Sequence, residues 1–201
     1  NPANNLAIAG IRLPVWNKIL IAAMMLVAVV MPFMVEDFTV FQMTYALVFA
    51  MAILGLNLLT GFNGQFSLGH SAFFGIGAYT TAMMMAHWDV AFYWTVIPAG
   101  VVCLIAGFLF GLPALRLEGL YLALATFALA TATPQILKYH AWEDLTGGVQ
   151  GLDLDKPETP FPDLMSDDQY LYFIVLIVAI ILFICAWNLV RGRTGRAMIA
   201  I

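Results

Sequence analysis

Six apolar runs divide the chain, at residues 19–35, 38–59, 71–86, 90–112, 120–137 and 170–190. A helix that crosses a bilayer needs about 20 predominantly apolar residues. The pattern therefore predicts an all-α, polytopic membrane protein with about six transmembrane helices. Glu36 and Asp37 close the first run. Pro98 falls inside the fourth run and predicts a kink there, and Pro134 lies near the end of the fifth. The third run is the shortest, which predicts a short or interrupted third helix. No fixed-period repeat is visible, and charges are too sparse for a coiled coil or a disordered tail.

Between the second and third runs the pattern changes character. GLNLLTGFNGQFSLGHSAFFGIGAY, residues 55–79, carries glycines at 55, 61, 64, 69, 75 and 77, with Asn57, Asn63, Gln65, Ser67 and His70 among them. Lipid offers no hydrogen bonds to an exposed backbone, so a broken segment at membrane depth must be covered by protein or line a wet cavity. Small residues also let helix backbones approach closely. The segment thus predicts a packing crossroads or a path for a polar solute. Its candidates are Asn57, Gly61, Asn63, Gly64, Gln65, Ser67, Gly69, His70, Gly75 and Gly77. The polar side chains are expected to hold the interruption more than to grip a solute. The plain alternative is a loop followed by a tightly packed helix.

Composition agrees with a membrane setting. The chain is 63% hydrophobic and 10% charged, with a mean hydropathy of +0.92; a soluble domain of that balance would expose large apolar patches. The net charge of -4 gives no indication of nucleic-acid binding. Cys103 and Cys185 each lie in an apolar run without a CxxC or Cys/His partner spacing, which argues against a metal or a disulfide. The chain opens on Asn1 and is expected to be a fragment at both ends. Arg12 and Lys18 precede the first run as in a signal peptide, but the run lacks a convincing A-x-A cleavage site and a second span comes at once.

The loops predict orientation. Basic residues gather on the cytoplasmic side. With six crossings, one side holds Arg12, Lys18, Arg116, Arg191, Arg193 and Arg196; the other holds Lys138 and Lys156, which completes the 8 basic residues. Both ends are therefore expected in the cytoplasm. The long acidic loop 139–169, with Pro157, Pro160 and Pro162, is expected outside. Within it, Gly147 and Gly148 suit a tight turn beside Thr146. The arginines and glycines of residues 191–201 are, on composition alone, a positive-inside anchor.

Catalytic patterns are missing from the sequence. There is no HExxH, no GxSxG and no acidic pair inside a span, and His70, His87 and His140 are far apart. A phosphate-binding loop needs Gly directly before Lys, whereas Lys18, Lys138 and Lys156 follow Asn, Leu and Asp. No catalytic residue, metal site or bound cofactor is expected. Ion-coupled carriers generally place acids or bases within the membrane; here only His70 stands in such a position. Any transport would draw its energy from elsewhere.

The stretch 55–79 resembles the signature region of the permease subunits of bacterial branched-chain amino-acid ABC transporters. Three further pieces resemble that family in order and spacing: LRLEGLYLALATFALA at 115–130, WEDLTGGVQGL at 142–152 and GRTGRAMIAI at 192–201. The resemblance covers residues 38–201. It implies one permease domain over 1–201, with 139–169 a periplasmic loop and 191–201 the start of a cytoplasmic coupling loop. There Gly192, Arg193, Gly195 and Arg196 would meet an ATPase, while Thr146, Gly147 and Gly148 mark the external loop. It further implies an inner-membrane location, a second related permease subunit, two ATP-binding subunits that use the ATP, and a periplasmic substrate-binding protein. The cargo it implies is Leu, Ile and Val; urea, short amides or other amino acids are the alternative within the class. A passive channel is a different class, and a membrane enzyme is disfavoured by the missing catalytic groups.

Overall fold

The computed structural model describes residues 7–8, 11–12, 15–62, 67–114, 116–117, 119–157, 159–161, 164–192 and 195. Apart from a two-residue antiparallel pair, β1 (Ala7–Ile8) with β2 (Ile11–Arg12), the regular structure is helical. The helices are α1 (Val15–Val30), α2 (Asp37–Asn57), α3 (His70–Trp88), α4 (Phe92–Ala114), α5 (Leu120–Leu137), the four-residue α6 (Glu143–Thr146) and α7 (Asp167–Arg191). The protein is polytopic and all-helical. Among the described residues four helices are long and apolar enough to span a bilayer: Asp37–Gly61, Phe92–Ala114, Leu120–Leu137 and Asp167–Arg191. α1 has 16 residues, a rise of about 24 Å at 1.5 Å each. The 3₁₀ turn Met31–Phe33 prolongs it toward the roughly 30 Å of a hydrocarbon core. α3 has 19 residues but is less apolar than the four spans.

The third helix itself runs unbroken. The interruption lies ahead of it, where α2 widens into the π-helical turn Leu58–Phe62 before the chain reaches α3 at His70. α4 continues through Pro98 and Pro113, and α5 through Pro134. Within such helices the hydroxyls return to the backbone. Thr44 donates to the Val40 carbonyl, Thr80 to Ile76 and Thr133 to Leu129. This satisfies each hydroxyl without a partner from outside its own helix.

The chain divides into two compact units, Asn1–Met51 with Glu158–Ala197, and Ala52–Pro157 with Met198–Ile201. In the first unit, the start of α7 grips the turn between α1 and α2. Ser166 caps α7 in a reciprocal box with Gln169, which satisfies backbone donors that a helix start leaves open. The Ser166 hydroxyl also donates to Asp37 Oδ1 at 2.7 Å, and Gln169 Nε2 donates to the Pro32 carbonyl at 2.9 Å. Two turns on, the fully buried Tyr172 donates its hydroxyl to the Ala28 carbonyl at 2.9 Å. Val40, Tyr172 and Leu176 form the core at this end.

In the second unit, α3 packs chiefly against α4 and then α5. Gly77 makes the α3–α4 approach close, since an added Cβ there would lie 3.3 Å from Cys103 Sγ. Cys103 Sγ is 3.5 Å from the Phe73 carbonyl, a weak bond across the same pair.

The Tyr172 bond sits inside an apolar core, so its loss should register on its own. Tyr172→Phe keeps the ring and removes the hydroxyl. A loss of about 0.6 kcal/mol, and no more than about 1.7 kcal/mol, is expected on the scale of such bonds in membranes, read by reversible unfolding in mixed micelles. Tyr172→Ala should cost several times more, because the ring is the larger part of the contact.

Candidate functional site

Where the chain re-enters at α3, it is held on two sides by small residues. Gly69, buried at the N-cap of α3, lies against α5: an added Cβ would stand 3.1 Å from the Thr126 carbonyl and 3.2 Å from Thr126 Cβ. On the other side, the His70 ring covers Gly55 of α2, where an added Cβ would meet Cε1 and Nε2 at 2.9 Å. The Leu68 amide donates to Thr126 Oγ1 at 3.0 Å. That hydroxyl itself donates toward the Leu122 and Ala123 carbonyls. One side chain of α5 thus satisfies an amide of a segment with no helix partner of its own.

Beside this junction lies a cavity of about 410 Å³. Leu59 of the π turn, Ser67, Phe73 of α3, Gly111 of α4 and Thr126 of α5 are among the residues that line it. Its wall is largely apolar, with the hydroxyls of Ser67 and Thr126 as polar groups. Neither Gly107 nor Gly111, which also border it, meets a close neighbour where a Cβ would be; Phe73 is 3.9 Å away from the first and nothing lies within 4 Å of the second. The glycines leave the space open on the α4 side. A concave, mostly apolar site with a few placed polar groups is the ordinary form of a small-molecule pocket.

The sequence candidates of residues 55–79 do not all meet. Ser67, Gly69 and His70 meet at the junction. Asn57 ends α2, exposed, with its side-chain oxygen against the backbone of Gly61 in the π turn. Gly75 lies on α3 with nothing within 4 Å of an added Cβ among the described residues, and Gly77 faces Cys103. Asn63, Gly64 and Gln65 lie outside the described residues.

Thr146, Gly147 and Gly148 belong to a different place in the same unit. Thr146 is buried and donates to the Leu137 carbonyl at 2.7 Å and to Trp142 at 2.9 Å, while Gly148 donates its amide to Thr146 Oγ1. Gly147, Gly148 and Gly151 all have positive φ, at 70°, 58° and 78°. A side chain at Gly147 would also run into the Gly151 carbonyl. This turn seals the end of α5; it does not reach the cavity. His87, at the end of α3, joins it through Nε2 and the Leu145 carbonyl at 3.0 Å. Sequence reasoning passed over Thr126 and read His87 only as one of three scattered histidines; both bond to positions 58 residues away.

At the end of α7, Gly192 donates its amide to the Asn188 and Leu189 carbonyls. Gly195 is buried so close to the Val190 carbonyl that no side chain fits. Arg193 and Arg196 lie outside the described residues. Arg191 stacks over the Trp187 ring at 4.3 Å. Among the described residues no cluster of His, Cys, Asp and Glu could hold a metal ion.

The chain belongs to the family of permease components of branched-chain amino acid transport systems, which it matches over residues 38–201. It is 37% identical over 143 residues to the high-affinity branched-chain amino acid transport system permease protein LivM of Escherichia coli K12. The identity to the protein of the same name in Salmonella typhimurium LT2 is 37% over the same length. Each alignment covers 70% of this chain and 33% of the relative, so the chain spans about a third of the length of these curated relatives. No solved structure matches it.

The junction separates two glycines of one stretch. Gly69→Leu forces the α3 start away from the α5 backbone and should cost about 1–3 kcal/mol or more as overpacking. Gly75→Leu has room within the chain and should stay within about 0.5 kcal/mol of the parent. Thermal unfolding of the purified variants in detergent checks both; equal stability of the two would refute the packing role of Gly69.

Proposed function

We propose that the chain forms part of a permease subunit that passes branched-chain amino acids across a bacterial inner membrane in an ATP-driven importer. The observation that carries this is the cavity at the α2–α3 junction. An aliphatic side chain would meet its apolar wall, while the hydroxyls of Ser67 and Thr126 would serve the charged backbone groups in passing. With no fixed countercharge, a zwitterion would be held weakly and released. Urea or a short amide has no apolar branch to place against Leu59, Phe73 and Gly111, so the lining favours the aliphatic cargo.

In this reading Asn57, Gly61, Asn63, Gly64, Gln65, Ser67, Gly69, His70, Gly75 and Gly77 shape the path and the helix contacts around it. The chain works with a second related permease, two ATP-binding subunits and a periplasmic substrate-binding protein. It carries no cofactor and no catalytic activity of its own; ATP is hydrolysed in the partner subunits. Gly192, Arg193, Gly195 and Arg196 begin the segment that meets an ATP-binding subunit. The close fit of Gly195 under Val190 supports a sharp exit from α7 there. Both ends of the chain lie in the cytoplasm and residues 139–169 in the periplasm. The grip of Ser166 and Gln169 on the Pro32–Asp37 turn supports this, since it brings two loops expected outside to one end of their unit.

Gly111 offers the direct test, because a side chain there fills the cavity without a clash. In the full-length transporter, Gly111→Leu should assemble normally yet lower leucine uptake and substrate-stimulated ATP hydrolysis by about tenfold or more, as a few misplaced methylenes are worth about 1–3 kcal/mol. Normal uptake in that variant would remove the cavity from the path. For orientation, a cysteine at Asp155 should react with a membrane-impermeant maleimide in intact spheroplasts. Reaction only after permeabilisation would invert the topology.

A further inference from the structure

One end of the second unit carries a concentration of amphipathic aromatic rings. The chain has 5 tryptophans. Three of them, Trp88, Trp94 and Trp142, lie here, at the end of α3, the start of α4 and the turn before α6. Tyr93 and Tyr139 stand beside them in sequence. All five rings are exposed, Trp88 by 70%, Trp94 by 68% and Trp142 by 51%. The helices below them present apolar side chains outward, Ile97, Leu104 and Phe108 on α4 among them. Trp and Tyr favour the level of lipid headgroups, where the ring is half in hydrocarbon and its polar atom is wet.

Residues 139–151 are tied to this same end. Thr146 bonds the turn to the last carbonyl of α5, and His87 bonds the tip of α3 to the Leu145 carbonyl. The three left-handed glycines fold the loop back on itself. Its depth is therefore set by the helix ends.

We infer that residues 139–151 lie in the headgroup layer of the bilayer, with Trp142 seated among lipid headgroups at the level of Trp88 and Trp94. The part of the external loop that stands in water then begins only after Gly151. The partner is a phospholipid surface, chosen by the indole and phenol rings, with no anionic lipid required: Lys138 is the one basic residue between 117 and 155.

The test uses full-length protein with a single tryptophan kept at 88, 94 or 142 and the others changed to Phe, reconstituted in phosphatidylcholine vesicles. Lipids brominated near the carbonyl end of the acyl chain should quench Trp142 about twofold more than lipids brominated near the chain end, and as strongly as they quench Trp88 and Trp94, as expected for an interfacial ring. Strong iodide quenching of Trp142 with no lipid quenching would place the loop in water and overturn the inference. Protection from both quenchers would place it under protein and overturn it equally. Should the single-tryptophan variants fail to reconstitute, a fluorophore on Val149→Cys, with Cys103 and Cys185 changed to Ala, gives the same reading. Val149 is 80% exposed on this loop, and its probe must show the shallow-lipid quenching or the inference fails.

Discussion

The second unit depends on one hydroxyl. A helix that ends inside an apolar medium leaves amides with no water to take them. Between α2 and α3 the chain stops being regular, and the Leu68 amide has no carbonyl of its own to bond. Thr126 supplies the acceptor from the neighbouring helix, and Gly69 lets that helix come close enough to supply it. The glycine and the threonine are one device: Gly69 lets α5 come close, and the Thr126 hydroxyl then takes an amide that α3 does not.

The first unit solves a related problem by another route. Its α1–α2 turn contains Pro32, whose preceding helix cannot close regularly around it. Gln169 takes the Pro32 carbonyl and Ser166 takes Asp37, so a single helix start completes three chain segments. The same two residues cap their own helix. A side chain that caps locally and bonds at long range fixes both the beginning of α7 and its neighbour's turn.

The helices were legible because their signal is length. The apolar run 120–137 coincides with α5, and the run 38–59 differs from α2 by one residue at its start and by the two that open the π turn. The Gly-rich stretch was legible as a place of close contact, but not which glycine made it. Gly69 and Gly75 look alike in sequence; they differ only in what stands opposite, Thr126 in one case and open space in the other. Thr126 itself gave no warning, since a threonine in a helix ordinarily bonds four residues back, as this one also does. The S-x-x-Q start of α7 is a readable cap, but its bond to Asp37, 129 residues away, has no local sign. The stretch 55–79 reads as a break, and α2 ends and α3 begins within it; periodicity shows where a helix stops without showing what it stops against.

Arg191 over Trp187 has a consequence for motion. The stacked cation is held on the last turn of α7, and a guanidinium enters hydrocarbon only at a cost of several kcal/mol. At its other end the helix is bound to the Pro32–Asp37 turn. Sliding along its own axis would drag a charge inward at one end or tear two hydrogen bonds at the other. Tilting together with that turn does neither. If the helix moves during a work cycle, it moves as a lever with its neighbouring turn attached, and not as a piston.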